Sequence, residues 1–230
     1  MQPISYTGHR FPPDVIRQAV LLYFRFTLSL RDVEEMLAWR GIDVTYETIR
    51  CWANKFGPQI AANLKRRRQN PSPRWHLDEM VCTIKGERWY LWRAVDDEGL
   101  VLDLVMQRGR DKAAALKLLR KLLHNQPVKP ELITTDGLAS YGAALGELNL
   151  RHLHRAGRLR ENNRAENSHL GIRRRERKQQ GFKSRSSAQR FLTTHAAVHN
   201  NFSTERHLNS RRYMRELRER AAREWKLAAA

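Results

Sequence analysis

The chain has 230 residues, 41% of them hydrophobic, and carries 43 Lys and Arg against 24 Asp and Glu for a net charge of +19. That length supports one good core, or one core with a small satellite domain, and the charge points to a polyanion as partner, nucleic acid ahead of a membrane surface. Two cysteines without C-x-x-C spacing argue against a disulfide framework and a thiolate zinc site. The first 14 residues lack an apolar signal core, and the longest apolar run is interrupted by Arg17 and Arg25, so a cytoplasmic, nucleoid-associated protein with no membrane span is expected.

Residues 13–56 read as three helices. The first carries Val15, Ala19, Leu22 and Phe26 at helical spacing behind Pro12-Pro13. The second opens with a capping box from Ser29 to Asp32 and stops near Gly41. The third opens at Thr45 and buries Ile49, Trp52 and Phe56. Its other face offers Tyr46, Thr48, Arg50, Asn54 and Lys55 to base edges or phosphates. This resembles a helix-turn-helix, expected over residues 1–64. The basic run Lys65, Arg66, Arg67 and Arg68 then leads into Pro-Ser-Pro, so a DNA-contacting linker is expected over residues 65–73.

From Trp75 the period changes to that of strands. "RWHLDEMVCTI", "RWYLWRAVD" and "LVLDLVMQ" are β-rich runs separated by the hairpin-length segments "KGE" and "DDEG". "DKAAALKLLRKLLHN" is an amphipathic helix capped by Asp111, "ELITTDG" a short buried strand, "SYGAALGEL" a helix and "LRHLH" a last short strand. "ENNRAENSHLGIRRRER" is a final core helix or the entry to one. A three-strand antiparallel meander followed by crossover helices is the pattern of a ribonuclease-H-like α/β layer fold, expected over residues 74–202, with a charged helical tail over residues 203–230.

Asp78 falls within the first strand, Asp136 at the end of the fourth, and Glu166 on the last core helix. If the first and fourth strands are neighbours, the two aspartates converge and the helix brings Glu166 across the gap. Converging carboxylates repel unless a cation is bound, and hard oxygen ligands suit Mg²⁺ or Mn²⁺. Two such ions, about 3.5–4 Å apart, can activate an attacking oxygen and stabilise the leaving oxygen of a phosphodiester. Arg164, Arg173, Arg174 and Arg175 around Glu166 would hold the DNA backbone. Each acid also has a structural reading: Asp136 as a turn residue, Glu166 as a salt-bridge partner. Asp78 and Glu79 point to opposite faces of a strand, which leaves one of the two as a simple surface acid, and Asp103 reads as a strand surface position. His195 and His199 share a helical face at zinc-ligand spacing, but without the internal Glu of H-E-x-x-H they read as a packed or DNA-facing pair.

The segments "RFPPDVIRQAVLLYFRFTLSLRDVEEML", "YETIRCWANKFGP", "RWHLDEM", "YLWRAVDDEG", "RDKAAALKLLRKLL" and "NNRAENSHLGIRRRER" closely resemble the DDE transposases of insertion sequence family six, over nearly the whole chain. The resemblance implies a ribonuclease-H-like core behind a helix-turn-helix, with the catalytic and metal-binding triad at Asp78, Asp136 and Glu166. It also implies terminal inverted repeats and target DNA as partners, a homo-oligomer on DNA, and cointegrate products. One position departs from the pattern: Gly137 stands where relatives usually carry Lys. Two other readings compete with a transposase: a DNA-binding regulator or decayed copy without catalysis, which would bind and not cut, and a structure-specific nuclease, which would cut and not join.

Overall fold

The computed structural model describes residues 2–157, 162–203 and 209–230. Two compact units make up the chain, one of Met1–Arg68 with Thr193–Ala230, the other of Gln69–Leu192.

In the second unit, β1 (Arg74–Ile84), β2 (Glu87–Asp96) and β3 (Val101–Gln107) form an antiparallel meander, and β4 (Leu132–Thr135) and β5 (His154–Ala156) extend it in parallel. The strand order is β3-β2-β1-β4-β5, a mixed sheet consistent with the ribonuclease-H-like layer. The β1–β2 hairpin turns on Lys85 and Gly86, both at positive φ, as a two-residue hairpin turn requires. Asp96 holds the next hairpin, its carboxylate accepting from the Ser72, Glu98 and Leu100 amides.

Alternation along the strands splits the unit into two faces. Trp75, Leu77, Trp92, Ala94 and Leu102 pack against Leu118, Leu119 and Leu122 of α4 (Lys112–Asn125) and Tyr141 and Leu145 of α5 (Ala139–Glu147). The other face takes α6 (Asn163–Lys178), which contacts β1 and β2 and buries Ala165, His169, Ile172 and Arg175. The Asp111 carboxylate caps α4 by accepting from the Ala114 amide. Asp103, expected at the surface, is buried, paired with Lys121 at 2.7 Å and bonded by Asn125, because α4 closes over that part of β3. The expected last strand begins later than read: residues 151–153 form a 3₁₀ turn before β5.

The first unit contains α1 (Pro13–Arg25), α2 (Leu30–Ala38), α3 (Tyr46–Arg67) and α8 (Arg211–Ala228). Ser29 and Asp32 form the reciprocal capping box, and Gly41, at φ 72°, closes the turn after α2. Phe26 leaves the expected buried stripe because α1 ends at Arg25, and its ring is exposed. The two units divide within α7 (Arg185–Phe202), at Thr193, ahead of the expected boundary at residue 202.

Two expectations are corrected in this unit. α3 continues through Pro58 to Arg67, so Lys65, Arg66 and Arg67 form its last helical turn and the extended connection begins only at Arg68. The charged C-terminal segment is not a free tail. Met214, Ala221, Trp225 and Ala228 are scattered in sequence but align on one stripe of α8, which packs on α3. The Asn63 amide group donates to the Ala228 carbonyl and the Tyr6 hydroxyl to that of Ala229. Residues 204–208 of that expected tail lie outside the described residues.

Candidate active site

β1 and β4 pair in parallel with Arg74 opposite Leu132 and His76 opposite Thr134. Carried two residues further, that register brings Asp136, the first residue beyond β4, beside Asp78. Oxygens of Asp78, Glu79 and Asp136 lie within 4.8 Å of one another. The Asp136 Oδ1 accepts from the Leu138 amide at 3.0 Å, so its turn role also fixes the carboxylate at the mouth of the site.

Asp78 is buried, and its carboxyl is pushed up to about 7, first by desolvation and then by the negative charges of Glu79, Asp136 and Glu166. Glu166 lies in the first turn of α6, exposed and outside the closest trio, yet near enough for its charge to act on Asp78. The start of α6 is pinned to β1 by Asn162, a buried residue whose amide group donates to the Leu77 carbonyl at 2.9 Å.

Glu79 does point to the opposite face from Asp78, but it is no surface acid: its side chain is 2% exposed. The Tyr141 hydroxyl donates to its Oε2 at 3.0 Å and the Arg110 Nε to its Oε1 at 2.7 Å. Burial raises the Glu79 pKa while Arg110 opposes the shift. Both Asp78 and Glu79 reach Asp136 because it lies at the end of a neighbouring strand rather than on either face.

Under Asp78, on the α6 side, His169 Nδ1 approaches its Oδ2 to 3.5 Å. Arg93 is the cross-strand partner of Asp78. It is buried, its Nε has no hydrogen-bond partner among the described residues, and burial lowers its pKa to about 10. Sequence reasoning missed Glu79, Tyr141, Arg110, Arg93 and His169. Only His169 left a signal, standing three residues after Glu166 and so on the same side of a helix.

Of the residues expected to meet DNA on α3, Arg50, Asn54 and Lys55 are exposed, while Tyr46 and Thr48 are half-buried. Arg50 pairs with Glu47 at 2.7 Å, Lys55 Nζ is 2.9 Å from His9 Nε2, and Arg31 covers the Tyr46 ring. Lys65 and Arg68 are half-buried and Arg66 exposed, whereas Arg67 is held by Glu224 of α8. On α6, Arg164, Arg173 and Arg174 are exposed. Arg175 is a correction: it shares the inward stripe of Ala165, His169 and Ile172, is buried, and stacks on Phe191. His195 and His199 stack ring on ring at 6.2 Å.

Three converging carboxylates, of which Asp78 is buried, Glu79 half-buried and Asp136 exposed, are hard oxygen donors whose mutual repulsion a divalent cation relieves, so this donor set fits Mg²⁺ or Mn²⁺. A family model described as a DDE domain, of the IS240 transposase type, matches residues 72–205. The chain is 34% identical over 139 residues to the transposase for insertion sequence-like element IS431mec of Staphylococcus aureus (strain Mu50 / ATCC 700699), covering 60% of the chain and 62% of that relative. The transposase for insertion sequence element IS257 in transposon Tn4003 of Staphylococcus aureus aligns with the same identity and coverage. An uncharacterized protein, pYV0051, of Yersinia pseudotuberculosis serotype I (strain IP32953) is 33% identical over 76 residues, 32% of the chain and 71% of that relative. The chain thus spans 62% of the length of the two transposases it matches. Among the described residues, no helix is long and apolar enough to cross a membrane.

Proposed function

Because the chain belongs to the DDE-domain transposases of insertion sequence family six, we propose that it binds the terminal inverted repeats of an insertion sequence and, as a homo-oligomer on DNA, cuts and joins strands to give cointegrates. The meeting of Asp78 with Asp136, which follows from the β1–β4 register, is the observation that carries this reading. Asp78, Asp136 and Glu166 would hold two divalent ions, Mg²⁺ or Mn²⁺. When bound, these supply activation of the attacking oxygen and charge stabilisation at the leaving oxygen.

The chain's own groups set the rest. Desolvation around Asp78 strengthens every charge in the site, and the pinned start of α6 directs Glu166 toward it. The exposed Arg50, Asn54 and Lys55 of α3 form a helix face suited to base edges and phosphates. Lys65 and Arg66 in the first unit, and Arg164, Arg173 and Arg174 in the second, supply cations for the DNA backbone.

The test uses the purified full chain and a duplex carrying the DNA that flanks its own coding sequence. Nicking at the element end followed by joining to a target, dependent on Mg²⁺ or Mn²⁺ and abolished by EDTA, is expected. Binding without cutting would make the chain a regulator, and cutting without joining a nuclease.

A further inference from the structure

A phosphodiester is an anion, and the cluster of Asp78, Glu79 and Asp136 repels it unless a fixed cation faces the approach. Arg110 has that position. Its Nε and Nη2 both lie 2.7 Å from Glu79 Oε1, and Nη2 is 4.0 Å from Asp136 Oδ2. Its Nη1 bonds none of the described residues, and with the side chain 46% exposed the outer part of the fork is open to a ligand. Glu79 cannot follow the guanidinium outward, because it is buried and bonded by Tyr141.

The backbone around Arg110 is equally constrained. The Gly109 carbonyl accepts from the Trp92 indole at 3.2 Å. A Cβ on Gly109 would come within 2.3 Å of Asp111 Oδ2, so the loop runs close against the side chain that caps α4. The position after Asp136 offers no alternative cation. Gly137 has φ 88°, a conformation in which any L side chain is strained.

Resting on the function proposed above, we propose that Arg110 is the phosphate-binding residue of this site, its guanidinium donating to a non-bridging oxygen of the phosphodiester that lies against Asp78 and Asp136. Glu79 and Tyr141 act on it as positioning residues. A rigid, charge-bearing fork suits this task, since its geometry matches two oxygens and little freedom is lost on binding.

The experiment compares the full-length wild type, Arg110→Ala and Arg110→Lys on the duplex carrying the flanking DNA. One version is native, and another has a single neutral methylphosphonate at the nicked position mapped with the wild type. Affinities are measured in EDTA, so that no metal contributes, and Mn²⁺ binding is measured separately without DNA. The wild type is expected to bind the methylphosphonate duplex roughly 10- to 100-fold more weakly than the native one, the range of a charge-assisted hydrogen bond. Arg110→Ala should bind both alike, at the weaker affinity, and Arg110→Lys should fall between. Mn²⁺ should bind Arg110→Ala at least as tightly as the wild type, because a cation has left the site. An Arg110→Ala chain that keeps the full methylphosphonate penalty, or that loses Mn²⁺ binding, overturns the proposal and reduces Arg110 to a tether for Glu79. In either case wild-type cutting leaves the transposase reading standing. A wild type that cuts no DNA in any divalent ion overturns both.

Discussion

His169 stands 3.5 Å from Asp78 as a neutral imidazole. Burial first, and then the charges of Arg93 and Arg173, hold its pKa down at about 3, so the contact is not an ion pair at neutral pH. It supports the carboxylate from below by packing. His169→Ala should therefore cost about 2–4 kcal/mol in urea unfolding, through the cavity left between α6 and β1. His169→Gln should recover part of that. Unchanged stability in the alanine variant would show that Asp78 needs no support from α6.

The raised Asp78 pKa makes metal-free stability depend on pH in a direction opposite to that of a salt-bridged aspartate. Its folded value of about 7 lies above the ordinary aspartate value of 3.8, so between these limits the folded state binds more protons than the unfolded. Stability is fully present below about pH 4 from this group and is lost as pH rises through 7, by up to about 4 kcal/mol. Glu79, Asp136 and Glu166 drive the shift after desolvation, and neutral His169 does not offset it. Thermal unfolding in EDTA should show a falling melting temperature across that window, and Mg²⁺ should raise it more at pH 8 than at pH 5. A melting temperature that climbs with pH between 5 and 8 in EDTA would contradict this assignment.

Asp78→Asn, Asp136→Asn and Glu166→Gln each remove one negative charge with little change of shape. Cutting and joining should fall by orders of magnitude in all three while repeat binding survives, because ligands that act as a unit are not additive. Glu79→Gln, which the sequence marks as harmless, is expected to lower cutting by about tenfold or more, since it weakens the hold on Arg110. Asp97→Asn, in the turn that follows β2, serves as the control. Normal cutting by Glu166→Gln would return Glu166 to a salt-bridge role.

Gly57 lies on the buried side of α3, where an added Cβ would meet Phe24 Cε2 at 2.9 Å and Thr194 Cγ2 at 3.2 Å. Gly57→Ala gains helix propensity but must push an aromatic ring within a packed core. A net loss of about 1–3 kcal/mol is expected, read by denaturant midpoint. A stabilised variant would mean that α1 and α3 can separate at no cost.

Asn54 and Arg50 are exposed on α3, the latter beside Glu47. Alanine at either position should cost about 1–3 kcal/mol on repeat DNA and less on random DNA, measured by filter binding at fixed salt. Equal losses on both would make these residues backbone contacts.

Local pattern by itself determined the elements of this protein. β-rich runs between hairpin-length breaks marked β1 to β3 nearly to the residue, and the caps at Ser29, Thr45 and Asp111 form the bonds their side chains imply, because both signals act between neighbours in the chain. Asp78 and Asp136 could be named from their places on strands. Their meeting depended on which strands pair and in what register, a contact across 58 positions that no local rule contains. Tertiary structure alone decided the rest. It buried Glu79 under Tyr141 and Arg110, turned Arg175 into the core, engaged Arg67 with Glu224 and gathered the scattered apolar residues of α8 into a packed stripe. A charge in a sequence has no side until its element is packed. The identity of a residue limits what it can bond, but only the surrounding fold decides whether water, a partner or a core meets it.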